Sequence, residues 1–408
     1  MRLISADFIF PISSEPIKNG IVIIDEDGTV LEVGTVSDFK NKPSEIEYYE
    51  GVICPGFINT HCHLELSHLR SQVPENSGIT GFIKEIISKR LRFSNQTILQ
   101  AIADAEAEMI KNGIVAVGDI SNNNSTFQQK SKGNLLYHTF IEVFEMNPDK
   151  AYEAFNKGLL LQQELFQISN FKSPVSIVPH APYTVSEKLL KLINENSIEE
   201  KSILSIHNQE SETENELFIS KSGLMVDAFK TMGVNTDFMR HTGINSLKST
   251  LPFLKDAAKL LLVHNTFTTK KDIEFAKLQI ANRKSLLRKG QPSQNLFWCT
   301  CPNANKYIEN KLPDYNCFIE EEVSVTIGTD SLASNWSLSI LDEIKTIAKE
   351  YPVIPLQTLL LWATKNGADF LGFTQLGTIE KGKKPGLNLL KNLQGLKICD
   401  KTEVLKLI

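Results

Sequence analysis

Gly51-Val52-Ile53-Cys54-Pro55-Gly56-Phe57-Ile58-Asn59-Thr60-His61-Cys62-His63-Leu64-Glu65-Leu66 is an apolar run that ends at two histidines one residue apart. Successive side chains of a strand point to opposite faces, so His61 and His63 point the same way and both imidazoles can reach one metal ion from the strand end. By itself His-x-His more often marks two surface histidines than a ligand pair. The rest of the chain decides between the two.

The sequence has eight histidines, and three others follow short β-rich runs: Ser176-Ile177-Val178-Pro179-His180, Ser202-Ile203-Leu204-Ser205-Ile206-His207 and Leu260-Leu261-Leu262-Val263-His264. Val323-Ser324-Val325-Thr326-Ile327-Gly328-Thr329-Asp330 delivers an aspartate in the same manner. Helix-period segments lie between them, for example Thr97 to Lys111, Ser186 to Asn194 and Leu356 to Leu371. Strand after strand that stops at a metal-binding or acid/base residue is the pattern of an α/β fold of the (β/α)8 TIM-barrel type, whose active site collects at the carboxyl ends of its strands.

The flanks read differently. Leu3 to Phe10, Gly20 to Asp25 and Thr29 to Gly34 alternate as short strands, with the Asp27-Gly28 turn signal between the last two. Leu387-Asn388-Leu389-Leu390 resumes the theme near the end. The expected division is residues 1–54 and 375–408 in a small β domain and residues 55–374 in the barrel. Ala276 to Gln294 reads as a solvated helix running into a loop, and Ser220 to Phe253, with Phe229, Met232, Phe238 and Met239, as a lid over the site.

A chain of 408 residues is long enough for one barrel and an accessory domain. Its net charge of −5 argues against a nucleic-acid-binding surface, and it has no apolar run long enough for a membrane span. The six cysteines form no C-x-x-C pair or disulfide framework, and Cys299 and Cys301 sit in a strand-like run rather than a ligand motif. With no leader-like segment evident, a soluble cytoplasmic protein is expected.

In their order along the chain, PGFINTHCHLE, SIHNQE, LLVHNTF and IGTDSLASN resemble the amidohydrolase superfamily, in its branch of cytosine-, guanine- and adenosine-type deaminases and chlorohydrolases. The resemblance implies a TIM barrel with a β-sandwich formed from both chain ends. It also implies one divalent ion held by His61, His63, His207 and Asp330, a donor set that suits zinc or ferrous iron, with zinc expected. Glu210 would carry a proton to the ring nitrogen of a heteroaromatic amine, and His264 would orient the hydroxide. Asp330 would accept the water's proton and pass it to the leaving ammonia. Relatives with two metals bridge them through a carboxylated lysine after the fourth barrel strand, where this chain has His180, with Lys172 before the strand.

His180 and Ser334 correspond to substrate-contacting positions of the adenosine-type deaminases, and Glu65 to either a sugar contact or a cap of the first loop. The His61-to-Ser67 run and Gly118-Asp119-Ile120-Ser121-Asn122 resemble the aminodeoxyfutalosine deaminases. The S-adenosylhomocysteine deaminases carry an arginine after the third strand, where this chain reads Glu142-Val143-Phe144-Glu145. The expected activity is hydrolytic deamination of a 6-aminopurine nucleoside such as aminodeoxyfutalosine. The alternatives are guanine, pterin or triazine deamination or dechlorination, cyclic-amide hydrolysis of the imidazolonepropionase kind, and a non-catalytic binding protein on the same fold. The expected partners are a small heterocyclic substrate and at most a second copy of the chain in a homodimer, with neither nucleic acid nor membrane.

Overall fold

Alternation along Val52-Ile53-Cys54 sends Ile53 to one side of its strand and its neighbours to the other, and this decides how the β domain meets the barrel. The computed structural model describes residues 1–38, 45–169, 171–284 and 295–408. Its first strands are β1 (Arg2–Ile9), β2 (Ile17–Lys18), β3 (Gly20–Ile24), β4 (Val30–Thr35) and β5 (Glu47–Pro55). Eight more follow: β6 (Phe57–Cys62), β7 (Ile114–Ser121), β8 (Leu136–Val143), β9 (Val175–Pro179), β10 (Leu204–Asn208), β11 (Leu260–His264), β12 (Leu296–Thr300) and β13 (Ser324–Ile327). The last two are β14 (Leu387–Lys391) and β15 (Glu403–Lys406).

Both chain ends enter one seven-stranded sheet of order β15-β14-β5-β1-β3-β4, with β2 on β1. Ile53 pairs with Leu389 and Val52 with Leu390 across β5 and β14. Ile4, Val22, Ile24, Ile53, Leu387 and Leu389 bury one another on one face. Phe10, Val52, Cys54 and Leu390 face the barrel core instead. The hydrogen bonds thus describe one continuous sheet, whose second face docks on the barrel. At the Asp27-Gly28 turn, Asp25 Oδ1 accepts the N–H groups of Asp27 (3.1 Å) and Thr29 (2.9 Å), and Gly28 takes the left-handed φ of 84° that the reversal requires.

β6-β7-β8-β9 and β10-β11-β12-β13 are two parallel four-stranded halves. One seam closes where Cys62 bridges Asp330 in parallel and the N–H groups of Thr329 and Asp330 donate to His61 O at 3.0 and 3.1 Å. The other seam closes where His207 N–H donates to His180 O at 3.0 Å. Both seams run through site residues, so closing the barrel and assembling the site are one event.

Helix Asn95–Lys111 starts where Ser94 caps Thr97 N–H, and Glu187–Glu199 where Ser186 caps Leu189 N–H. The single helix expected over 356–371 is two, Leu356–Ala363 and Lys365–Leu371. Thr364 breaks it at φ −132°, ψ −84°, its hydroxyl bonded back to Leu360 O at 2.6 Å. Helix Lys270–Lys284 covers the first part of the segment read as a helix and loop, and residues 285–294 lie outside the described residues.

Between 220 and 253 run helices Leu224–Thr231 and Ser246–Thr250 with a turn at Thr236–Phe238. Met225, Val226, Phe229 and Met239 bury with Ile79, Ala181 and Tyr183 in a second apolar cluster, which anchors this segment to the loop just past His180. Phe238, read as part of the lid, is 38% exposed. Among the described residues no helix is long and apolar enough to cross a membrane.

Candidate active site

Five histidines and one aspartate from the carboxyl ends of the barrel strands converge. His61 and His63 leave the end of β6, His180 follows β9, and His207 lies on β10. His264 ends β11, and Asp330 follows β13. His264 and Asp330 hold left-handed backbone angles, φ 71° and 57°, which few non-glycine residues adopt, and both turn sharply off their strands at the point of use. Gly328 lies directly under His61: a Cβ there would stand 2.8 Å from His61 Cβ and 2.9 Å from Cys299 Sγ.

His61 Nε2 and His63 Nε2 each lie 3.5 Å from Asp330 Oδ1, and His63 Nε2 lies 3.2 Å from His207 Nε2. Donors at about 2.0–2.1 Å around one tetrahedral ion stand roughly 3.3–3.4 Å apart, so these separations are those of a single coordination sphere. Neither ring nitrogen of His61 has a hydrogen-bond partner, although the residue is 1% exposed. Orphaned buried imidazole nitrogens are costly unless a ligand satisfies them, and a divalent ion does so. The donors of His61, His207, His264 and Asp330 lie within 4.8 Å of one another, as do those of His63, Glu142 and His207.

The charge states suit an ion. Burial lowers His63 to about 3 and His264 and His180 to about 4, and it drives His207 well below the ordinary histidine range, so these imidazoles are neutral at pH 7. Burial opposes ionisation of Asp330. The adjacent His61, 3.5 Å away, and the neighbouring His63 and His264 nonetheless hold its carboxyl well below the usual range. Neutral imidazoles and an ionised carboxylate are the ligand forms that bind metal.

Two second partners orient the rings: His207 Nδ1 donates to His180 O at 2.7 Å, and His264 Nδ1 donates to Asn305 Oδ1 at 2.8 Å. With its Nδ1 proton so fixed, His264 presents Nε2 as an acceptor, 3.5 Å from Glu210 Oε1. Glu210 follows a left-handed turn at Gln209, φ 45°, and the N–H groups of both residues donate to the Glu214 carboxylate at 3.0 and 3.2 Å. Of the acidic run after His207, Glu210 and Glu214 are buried, whereas Glu212 and Glu216 are exposed on the helix face. Burial, then the charges of Asp330, Glu214 and Glu309, raise Glu210 well above the carboxylate range. Its acid form is therefore favoured beyond the range of an ordinary carboxyl, beside the ion site.

The remaining sequence candidates have specific places. Ser334, fully buried, donates to Asp330 Oδ2 at 2.5 Å, so its hydroxyl holds the carboxylate rather than standing free for a base. Glu65 Oε2 accepts from Asn122 N–H at 3.0 Å and Asn123 Nδ2 at 2.8 Å, ordering the loop after β7. His180 Nδ1 lies 2.8 Å from Thr184 Oγ1, and its ring sits 4.8 Å from that of His207. Lys172 is exposed ahead of β9.

Reading the sequence missed Asn305, Glu214, Glu142 and the Asp119–Lys130 pair. Asp119 accepts the N–H of Leu64, next to His63, at 2.9 Å, and Lys130 Nζ meets Asp119 Oδ2 at 2.6 Å with both side chains at 0% exposure. Only the strand-end position of Glu142 and Asp119 was a signal for any of them.

The chain resembles Helicobacter pylori adenosine deaminase, at 26% identity over 95% of this chain and 91% of that one. It also resembles the aminodeoxyfutalosine deaminase of a Nitratiruptor species, at 27% identity over 91% of this chain and 87% of the relative. The solved structure of Helicobacter pylori aminofutalosine deaminase in complex with methylthio-coformycin superposes with a TM-score of 0.81 at 24% identity, covering 96% of this chain and 92% of that one. The model of the amidohydrolase family matches residues 52–405, from β5 through the whole barrel to the final strand. With that match and a site assembled at the carboxyl ends of barrel strands, the chain belongs to the amidohydrolase family.

Proposed function

We propose that this enzyme is a hydrolytic deaminase that replaces the 6-amino group of an aminopurine nucleoside with oxygen and releases ammonia. The observation that carries the reading is a buried Glu210 whose Oε1 stands 3.5 Å from His264 Nε2, beside the clustered donors of His61, His63, His207 and Asp330. Relatives at 26 and 27% identity over nearly the whole chain, named for adenosine and aminodeoxyfutalosine deamination, support the substrate class.

His61, His63, His207 and Asp330 would hold one divalent ion, with zinc the best match to three imidazoles and a carboxylate. When bound, such an ion lowers the pKa of water to about 7 and so supplies hydroxide at neutral pH. Glu210 gives its proton to the purine ring nitrogen next to the amine-bearing carbon, which makes that carbon electrophilic. His264, its Nδ1 proton committed to Asn305, accepts at Nε2 and orients the attacking oxygen. Asp330, ionised and steadied by Ser334, takes the proton that the water gives up and returns it to the departing amine. His180 lines the base, and Glu65 supports the sugar end through Asn122 and Asn123. As ammonia leaves, the proton of the added hydroxyl passes to the Glu210 carboxylate and restores the acid, so water plus amine in and oxo-purine plus ammonia out balances without any further reagent.

The test is ammonia release from a panel of adenosine, 5′-substituted adenosines including aminodeoxyfutalosine, guanine, a pterin and a triazine. Turnover of the 6-aminopurine nucleosides, best with a bulky 5′ group, is expected. Turnover confined to guanine, pterin or triazine would refute the nucleoside reading.

A further inference from the structure

The barrel wall holds a carboxylate that the chemistry above leaves unused. Glu142 is the penultimate residue of β8, where it is 6% exposed, and its two oxygens differ in kind. Oε2 accepts from Asn122 Nδ2 at 2.8 Å, whereas Oε1 is buried with no hydrogen-bond partner. His207 Nδ1, 3.6 Å from Oε1, already donates to the His180 carbonyl at 2.7 Å. A buried acceptor without a partner costs free energy that a bound donor would offset, and the four donors proposed for the ion are complete without it.

We infer that Glu142 is a sugar-recognition residue: Oε1 accepts a hydrogen bond from a ribose hydroxyl of the nucleoside. The inference rests on the nucleoside reading above. Asn122 pins Oε2, and Glu65 in turn holds Asn122 through its backbone N–H, so the free oxygen is aimed by a network running from the turn after β6 through the loop after β7 to β8. A pre-aimed oxygen left without a partner suits a hydroxyl donor. Two residues further on, Phe144 is 51% exposed, with its ring 6.0 Å from that of His180, so the same strand end continues outward as an apolar edge on which a 5′ extension can rest.

The experiment compares wild type with Glu142→Gln, both loaded with zinc, on adenosine, 2′-deoxyadenosine, 3′-deoxyadenosine and adenine. In wild type, loss of the recognised hydroxyl should lower kcat/KM by about 10-fold or more, because a buried acceptor is then left unpaired. In Glu142→Gln that penalty should shrink to within roughly 3-fold, with adenine and metal content unchanged. Equal penalties in the two proteins, an equal loss on adenine, or loss of metal from the variant would each overturn the assignment, the last by making Glu142 an ion ligand.

A second readout needs no turnover: inosine should bind Glu142→Gln about 10-fold more weakly than wild type, while hypoxanthine binds both alike. Absent or indistinguishable inosine binding overturns the sugar contact. Absence of turnover on every aminopurine would instead refute the deaminase reading, with inosine binding still reporting on Glu142.

Discussion

Asn305 Oδ1 lies 2.8 Å from His264 Nδ1, while Nε2 of the same ring faces Glu210 across 3.5 Å. One amide from the helix after β12 therefore sets which ring nitrogen carries the proton at the centre of the site. Asn305→Ala frees the ring to change tautomer and rotate. Turnover should fall by roughly 10–100-fold, the usual effect of removing such an outer partner, with metal content near that of wild type. Unchanged kcat in the variant would show that His264 is oriented by something else.

Glu210 separates proton transfer from ion binding. Glu210→Gln keeps the shape and removes the transferable proton, so kcat should drop by roughly 10²–10⁴ while the ion stays bound. Because burial and neighbouring negative charge raise the carboxyl, its acid form persists above the ordinary carboxylate range, and activity that needs it should decline as pH rises through the raised value. A rate that climbs steadily into alkali would contradict an acid role.

The purified protein should carry about one divalent ion per chain, and His207→Ala should lose both ion and activity. An ion that binds only the folded state adds RT ln(1 + [L]/Kd) to stability, so a chelator should lower Tm and added zinc should restore it. The signature is a Tm that depends on zinc in wild type but not in His207→Ala. Two ions bridged by a modified lysine would refute the single-ion site.

Lys130 and Asp119 are both wholly buried, and Asp119 holds the backbone N–H that follows His63. Lys130→Met leaves the carboxylate without its counter-charge, which should cost about 3–5 kcal/mol of stability by denaturant titration. The same change should weaken ion binding, since the turn carrying His63 loses its fixed acceptor. Full retention of both stability and zinc affinity would mean that Asp119 takes up a proton and keeps its geometry.

The barrel and its ion donors were legible because they are local: each of His61, His63, His207, His264 and Asp330 stands at the end of a short β-rich run, and a strand's period of two states which way its end residues point. The break at Thr364 was not legible, since the apolar period runs straight across it and a side-chain bond to Leu360 O decides the backbone. Nor were the commitment of Ser334 to Asp330, of Asn305 to His264, of Glu65 to Asn122, or the bare Oε1 of Glu142. Sequence periodicity determines which face of an element a residue occupies. Which of two polar atoms on that face is satisfied depends on residues such as Glu142 and Asn122, 20 positions apart in the chain, and only the parallel pairing of β7 with β8 sets them 2.8 Å apart.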